Sequence, residues 1–120
     1  MERIVFQKLI EWKDSTNRKP LILNGARQVG KTWLLEQLGD RYFDKVAYLV
    51  CRKNQALKDV FSQDFDTDRI LRALRALSGV DITPGDTLIV LDEVQDIPEA
   101  IESLKYFCED APEYHIAVAG

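Results

Sequence analysis

One segment constrains the fold of this chain more than any other: Gly25 to Thr32 follows the pattern G-x-x-x-x-G-K-[ST]. The segment comes directly after the apolar run 20–24 and directly before a helical pattern that carries Leu34, Leu35 and Leu38. A strand that enters a glycine-bearing loop and leaves it as a helix is the first half of a strand–helix–strand unit with parallel strands. The segment therefore predicts an α/β domain built on a parallel sheet.

The rest of the chain continues this alternation of short apolar runs and helical patterns, without an internal repeat or a low-complexity linker. Turn and cap residues bound the elements, because Asp and Thr favour helix starts and Gly favours helix ends. We expect strands at 20–24, 45–50, 87–91 and 114–119. We expect helices at 2–13, from Gly30 to a stop at Gly39, and at 54–61. A fourth helix is expected from a cap at Asp66 or Thr67 to Gly79, with one apolar face formed by Ile70, Leu71, Leu74 and Leu77. A fifth is expected to begin at Pro98 and to pack inward through Ile101, Leu104 and Phe107.

The overall composition fits one domain, or part of one, of a water-soluble protein: 120 residues, 46% hydrophobic and 30% charged. The sequence shows no apolar run of the ~20 residues that a membrane helix needs, and it shows no secretory leader. We therefore expect a cytoplasmic protein in which both cysteines, Cys51 and Cys108, are reduced thiols. A net charge of −4 argues against a broad nucleic-acid-binding face. Three arginines at helical spacing are interpreted as a solvated helix face: Arg69, Arg72 and Arg75.

The glycine-bearing loop has the composition of a phosphate-binding loop. Its glycines allow close approach to a phosphate, and the backbone N–H groups and the start of the following helix attract the anion. Lys31 is predicted to contact the β- and γ-phosphates, and the Thr32 hydroxyl is a hard oxygen ligand suited to Mg²⁺. Arg27 either leans over the phosphates or points to solvent. The predicted nucleotide-binding residues are Gly25, Ala26, Arg27, Gln28, Val29, Gly30, Lys31, Thr32 and Trp33.

A second candidate group follows the apolar run 88–91, which ends in Asp92 and Glu93. Adjacent carboxylates at the end of a buried strand lie at the carboxyl edge of a parallel sheet, where ligands bind. Asp92 is predicted to hold Mg²⁺, usually through a water, and Glu93 to activate an attacking water as the catalytic base, with Lys31 as the other catalytic residue. Gln95 and Asp96 either contact the γ-phosphate or a neighbouring subunit or are exposed loop residues, and the second interpretation is favoured. The guanine-reading pattern Asn-Lys-x-Asp is absent from the sequence, which favours ATP over GTP.

Three further side chains are expected to be structural. His115 begins a predicted strand and has no neighbours at metal-ligand spacing, so we expect packing rather than metal binding. The side chains of Trp12 and Trp33 are likewise interpreted as packing residues rather than platforms on which a base stacks.

The sequence resembles a family of prokaryotic AAA-type ATPases whose ATPase domain precedes a C-terminal domain of unknown function. The resemblance spans essentially the whole chain. It rests on Arg18-Lys19-Pro20-Leu21 with the loop Gly25–Thr32, on Leu91-Asp92-Glu93-Val94-Gln95, on Ser103-Leu104-Lys105-Tyr106-Phe107, and on the segment from Ala111 to Gly120.

The resemblance implies a P-loop NTPase three-layer sandwich of the AAA+ (ASCE) type, with strand order 5-1-4-3-2, of which strands 1-4 in the order 1-4-3-2 are expected here. Lys31, Thr32, Asp92 and Glu93 carry over by position. The family's sensor residue, strand 5 and any arginine finger would follow Gly120. The expected organisation is a leading helix at 1–17 and a P-loop core at 18–120, forming the N-terminal part of an ATPase domain.

These observations favour an ATP-binding domain that hydrolyses ATP to ADP and phosphate with Mg²⁺ when complete. Because hydrolysis in such proteins usually needs an arginine from a neighbouring subunit or domain, we expect slow turnover at best from this chain, with self-association or a C-terminal domain as possible partners. A nucleotide-dependent switch without turnover is the main alternative. A small-molecule kinase would need an arginine-rich lid after a later strand, which the sequence does not show.

Overall fold

A parallel sheet lies at the centre of the computed structural model, which describes residues 10–14, 20–23 and 31–120. Four strands within these ranges pair in the order β1-β4-β3-β2, and all pairs are parallel. The strands are β1 (Leu21–Leu23), β2 (Lys45–Val50), β3 (Thr87–Asp92) and β4 (His115–Ala119). This order and orientation confirm the predicted α/β class and the predicted order 1-4-3-2.

Helices cover both faces of the sheet and complete three layers. They are α1 (Lys31–Tyr42), α2 (Gln55–Gln63), α3 (Thr67–Ser78) and α4 (Pro98–Asp110). Successive strand residues point to opposite faces, so that Leu88 and Val90 pack with α1 whereas Ile89 and Leu91 pack with the other helices. The resulting arrangement has the layers expected for a P-loop NTPase-like domain.

The register of the strands brings their carboxyl ends to one level. Val50 pairs with Asp92 at the ends of β2 and β3, and Leu91 pairs with Val118 in β4. The first five residues of β3 are all buried, which explains the continuous apolar run in the sequence. Between the polar residue at its start, Thr87, and the acidic residue at its carboxyl edge, Asp92, β3 is entirely apolar.

The predicted end of α1 at Gly39 is wrong, because the helix continues to Tyr42. Gly39 is buried inside the helix, and a Cβ at this position would overlap the Cγ2 atom of Val46 and come within 3.7 Å of Leu88. The glycine therefore lets α1 approach the sheet closely, and its role is packing rather than helix termination.

Other helix ends follow the sequence signals. The Asp66 carboxylate accepts hydrogen bonds from the N–H groups of Asp68 and Arg69, and Gly79 ends α3 with φ 71°. Asn54 caps α2 by accepting from the N–H of Leu57. The expected inward faces are partly wrong, because Leu77 and Ile101 are each more than 40% exposed.

The interpretation of the three arginines of α3 as a solvated face holds for Arg72 but is wrong for the other two. Arg69 pairs with Asp64 at 2.8 Å and donates to the carbonyl of Val60. Arg75 donates to the carbonyl of Ile82 at 3.0 Å and to the hydroxyl of Tyr114. These two side chains therefore fix the segments before and after α3.

The amino-terminal aromatic contacts are structural. Residues 10–14 are helical, whereas the rest of the predicted helix 2–13 lies outside the described ranges. The rings of Trp12 and Phe43 both contact the buried imidazole of His115 edge-on, at centroid distances of 5.5 and 5.0 Å. The packing roles expected for Trp12 and His115 agree with these contacts, whereas Trp33 is 47% exposed, so its predicted packing role is wrong.

Two further sequence expectations can be compared with the structure. Both cysteines are free thiols, Cys51 buried and Cys108 partly exposed. Among the helices that the structure describes, none is both long enough and apolar enough to span a bilayer.

Candidate functional site

The carboxyl edge of the sheet carries the candidate site, and the start of α1 lies at the same edge. Gly39, near the end of α1, packs against Val46 and Leu88, which lie at the starts of β2 and β3. The helix therefore runs antiparallel to the strands, and its first residue, Lys31, lies toward their carboxyl ends. Asp92 follows Leu88 and Val90 at alternate positions, so it belongs to the face of the sheet that α1 covers.

Asp92 is held by two hydrogen bonds at the end of β3. Its Oδ1 atom accepts from the backbone N–H of Glu93 at 2.8 Å, and its Oδ2 atom accepts from the hydroxyl of Tyr48 on the neighbouring strand. A carboxylate offers about four acceptor positions, so two remain for a metal-bound water. The two hydrogen bonds thus orient the carboxylate and leave some of its acceptor positions unused.

Glu93 adopts a backbone conformation that is uncommon for a residue with a side chain, with φ 55° and ψ 43°. The left-handed region costs a non-glycine residue about 1–2 kcal/mol. Residues held in such conformations cluster at functional sites, because the surrounding structure must compensate for the strain. The strain therefore supports a functional role for Glu93.

The carboxylate of Glu93 is contacted by two side chains. The Arg52 guanidinium lies 3.6 Å from Oε2, and the Gln95 amide donates to the same oxygen at 2.8 Å. The Glu93 side chain is 35% exposed, so it is held but still accessible to water. The interpretation of Gln95 as a simple exposed loop residue is therefore incomplete.

Gln95 also reaches the end of β4. A Cβ on Gly120 would overlap the Oε1 atom of Gln95, and it would lie 3.1 Å from the backbone nitrogen of Val94. The short 3₁₀ turn Val94–Asp96 therefore lies directly beside the residue that follows β4. Glycine at position 120 makes this close approach possible.

The described residues bring together only part of the predicted site. Gly25, Ala26, Arg27, Gln28, Val29 and Gly30 lie outside the described ranges, and their phosphate-binding role stays a prediction. Lys31 and Thr32 begin α1, and Trp33 is an exposed residue of its first turn. Asp92 and Glu93 lie at the same edge of the sheet as the start of this helix.

The sequence reasoning missed Tyr48 and Arg52 as members of the site. Both belong to β2 or the loop after it, whose polar residues carry no recognisable motif. The strand pairing is the signal that identifies them, because the end of β2 lies level with Asp92. The predicted order 1-4-3-2 already makes β2 and β3 neighbours, but it does not give the register that brings Val50 level with Asp92.

The acidic groups of this edge also affect a neighbouring thiol. Burial, together with the negative charges of Asp92, Asp96 and Glu93, raises the pKa of Cys51 to about 12. The thiol of Cys51 is therefore protonated and a poor nucleophile at neutral pH. It contributes packing and a weak S–H donor rather than covalent chemistry.

The oxygen-rich set at this edge fits Mg²⁺, which prefers hard oxygen ligands and retains several of its waters. Asp92 has unused acceptor positions toward the face covered by α1. Among the residues that the structure describes, no three His, Cys, Asp or Glu side chains cluster as ligands for a metal ion. One or two protein ligands combined with nucleotide phosphates is the usual arrangement for this ion.

Comparison with known proteins agrees with the fold. Residues 17–120, nearly the whole chain, match a family described as an AAA domain. No curated protein and no solved structure matches the chain. The chain therefore belongs to the AAA domain family, and it is a nucleotide-binding, ATPase-like domain.

Proposed function

We propose that this domain binds ATP together with Mg²⁺ and, when complete, hydrolyses it to ADP and phosphate. The single observation that carries this proposal is the pair Asp92–Glu93 at the carboxyl end of β3, on the edge where α1 begins. Glu93 lies in a strained conformation with its carboxylate accessible and held by Arg52 and Gln95.

The phosphate loop Gly25–Thr32 provides the binding half of the proposed site. Its backbone N–H groups would donate hydrogen bonds to the β-phosphate, and the start of α1 would add the favourable end of the helix dipole. The Lys31 ammonium contacts the β- and γ-phosphate oxygens. Trp33, the last residue of the proposed binding segment, lies in the first turn of α1.

Asp92 and Glu93 provide the catalytic half. Thr32 and Asp92 would hold Mg²⁺, which would partly neutralise the negative charge of the phosphates. Glu93 accepts a proton from the attacking water and orients it toward the γ-phosphate. The carboxylate is suited to this role because it has side-chain partners on one oxygen and remains about one-third exposed.

Binding can be tested with Lys31→Ala and a matched surface variant, Lys105→Ala, which removes the same charge from an exposed position of α4. A fluorescent ATP analogue is titrated into each protein with Mg²⁺. We expect Lys31→Ala to weaken binding by at least about tenfold, since a charge-assisted hydrogen bond contributes ~1.5–3 kcal/mol. Lys105→Ala should bind like the unmodified protein.

Equal affinity of Lys31→Ala and the unmodified protein would reject the assignment of the loop. Tight binding with no phosphate release, even from protein in excess over ATP, would instead favour a nucleotide-dependent switch. The two results are distinguished by measuring binding and phosphate release on the same samples.

A further inference from the structure

A polar cavity of about 370 Å³ lies at the carboxyl edge of the sheet, beyond the end of β2. Its walls come from the loop 51–54, the first turn of α2 and the residues Asp96 and Ile97. The volume falls in the range of pockets that bind small molecules, roughly 300–1,000 Å³. The proposed function assigns no role to this cavity.

The cavity lies on a different face of the sheet from the proposed nucleotide site. Cys51 continues the alternation of Ala47 and Leu49, whose side chains pack toward α2, α3 and α4. Asp92 instead follows the residues that pack against α1. A ligand in the cavity would therefore occupy a second site, on the side of the edge away from α1.

The amide groups at the mouth of the cavity are already engaged. The Asn54 side chain donates to the carbonyl of Val50 and accepts from the N–H of Leu57. The Gln55 amide donates to Asp59 at 2.8 Å. These amides organise the walls, and the groups left to contact a ligand are charged side chains and one thiol.

The other polar residues that line the cavity are two lysines and one aspartate. Within ranges 10–14, 20–23 and 31–120, neither Lys53 nor Lys58 forms an ion pair. Asp96 lines the same cavity and can accept a hydrogen bond from a hydroxyl or amine. Cys51, which is only 1% exposed, contributes to the wall as a free thiol.

Lys53 is also held in the left-handed region, with φ 51°. The loop keeps this residue at the cavity despite the conformational cost. Lys53 and Lys58, the latter one turn into α2, both line the cavity.

We propose that this cavity binds a small molecule that carries a phosphate or carboxylate group together with a hydroxyl or amine. Lys53 and Lys58 contact the oxyanion, and Asp96 accepts from the hydroxyl or amine. The site is independent of the phosphate loop, so the proposal does not rest on ATP binding.

The test uses the whole chain carrying Lys31→Ala, which removes the loop lysine as a competing phosphate contact. Glycerol 3-phosphate, glycerate and glycerol are titrated separately at constant ionic strength, and amide shifts are followed by ¹⁵N NMR. We expect at least one of the two anions to shift the amides of residues 51–58 and 96–97, whereas glycerol does not. The two anions share a three-carbon hydroxylated skeleton, so their relative affinities distinguish a phosphate site from a carboxylate site.

Charge-removing variants test the contacts. Lys53→Asn with Lys58→Gln removes both ammonium groups, and asparagine tolerates the backbone angle at position 53. Arg72→Gln with Lys105→Gln removes two exposed charges elsewhere and serves as the control. We expect the first pair to weaken anion binding by at least about tenfold and the second pair to leave it within about twofold.

The proposal is overturned if neither anion shifts these amides, or if both pairs of variants weaken binding equally. Lys58→Gln alone, at an exposed position of α2, provides a second measurement if the double variant is unstable. Unchanged affinity in that single variant would also reject the contact assigned to Lys58.

Discussion

The two ends of the parallel sheet both carry polar clusters, but the clusters are built differently. At the amino end, Asp86 accepts hydrogen bonds from the hydroxyls of Thr83 and Thr87, and Thr83 also accepts from the Lys45 ammonium. The backbone carbonyl of Asp86 accepts from two further N–H groups at 2.9 and 3.1 Å. These polar groups connect the turn before β3 to the start of β2.

The carboxyl end is less tightly connected. Glu93 lies in the left-handed region and contacts an arginine that is itself 62% exposed, at 3.6 Å. Asp92 keeps unused acceptor positions. A strained backbone and unused hydrogen-bond acceptors are unfavourable for stability, but they suit a site that must bind a ligand. The comparison favours a stabilising role for the amino end and the proposed chemistry for the carboxyl end.

The strongest test of this division compares Glu93→Gln with Asp86→Asn, which each replace one carboxylate by its amide. We expect Glu93→Gln to slow ATP hydrolysis by about 10²–10⁴-fold, because loss of a general base has effects of this size. Nucleotide affinity and the melting temperature should change little. Hydrolysis is measured in single turnover with protein in excess, so that slow rates remain detectable.

Asp86→Asn is the matched control at the other end. It should leave the hydrolysis rate unchanged while lowering the melting temperature at neutral pH, because an amide accepts hydrogen bonds less strongly than a carboxylate. If both variants lost activity equally, or if Glu93→Gln hydrolysed ATP at the unmodified rate, the division between the two ends would fail.

A smaller effect is expected at Arg52. Its ion pair with Glu93 is exposed, and exposed pairs contribute about 1 kcal/mol or less. We therefore expect Arg52→Gln to slow hydrolysis by no more than about fivefold, with Gln95 still contacting the carboxylate. The nucleotide affinity and the melting temperature of Arg52→Gln should match those of the unmodified protein.

Arg72→Gln is the control for Arg52→Gln, since Arg72 is exposed on α3, away from the site. Hydrolysis by this variant should match that of the unmodified protein. A loss in Arg52→Gln as large as that in Glu93→Gln would show that the arginine has a more direct role than positioning.

Much of the fold could be predicted from the sequence because local signals and burial agree. The apolar run of β3 and the caps at Asp66 and Gly79 each specify one element. Gly39 misled the prediction because glycine serves both helix ends and close packing, and only the approach of Val46 decides between them. Ile101 and Leu77 were misassigned because helical spacing alone does not reveal which part of a face is covered.

The site was predictable only where a motif carries the chemistry. Asp92 and Glu93 stand out as carboxylates that interrupt an apolar run. The partners of these carboxylates, Tyr48, Arg52 and Gln95, are identified by tertiary contacts between β2, β3 and the following turn. The left-handed conformation of Glu93 likewise has no local sequence signal, because glycine or asparagine would normally mark it.

The smallest expected effect concerns acid stability at the amino end of the sheet. The hydrogen bond from Thr83, reinforced by Thr87 and by the charge of Lys45, holds the pKa of Asp86 below its ordinary value of 3.8. The folded state therefore releases this proton more readily than the unfolded state. The resulting stabilisation is present above about pH 4 and disappears as the pH falls through the lowered pKa.

Asp86→Asn lacks this titration, so the melting temperatures of the two proteins should differ most above about pH 4 and converge as the pH falls through the lowered pKa of Asp86. The lowered pKa of Asp64, which arises mainly from the backbone N–H of Asp66 and from Arg69, is present in both proteins and cancels in the difference. Melting curves of both proteins over this range measure the convergence. A constant difference would mean that the carboxylate charge of Asp86 does not stabilise the amino end, and the contrast with the strained carboxyl end would then rest on Glu93 alone.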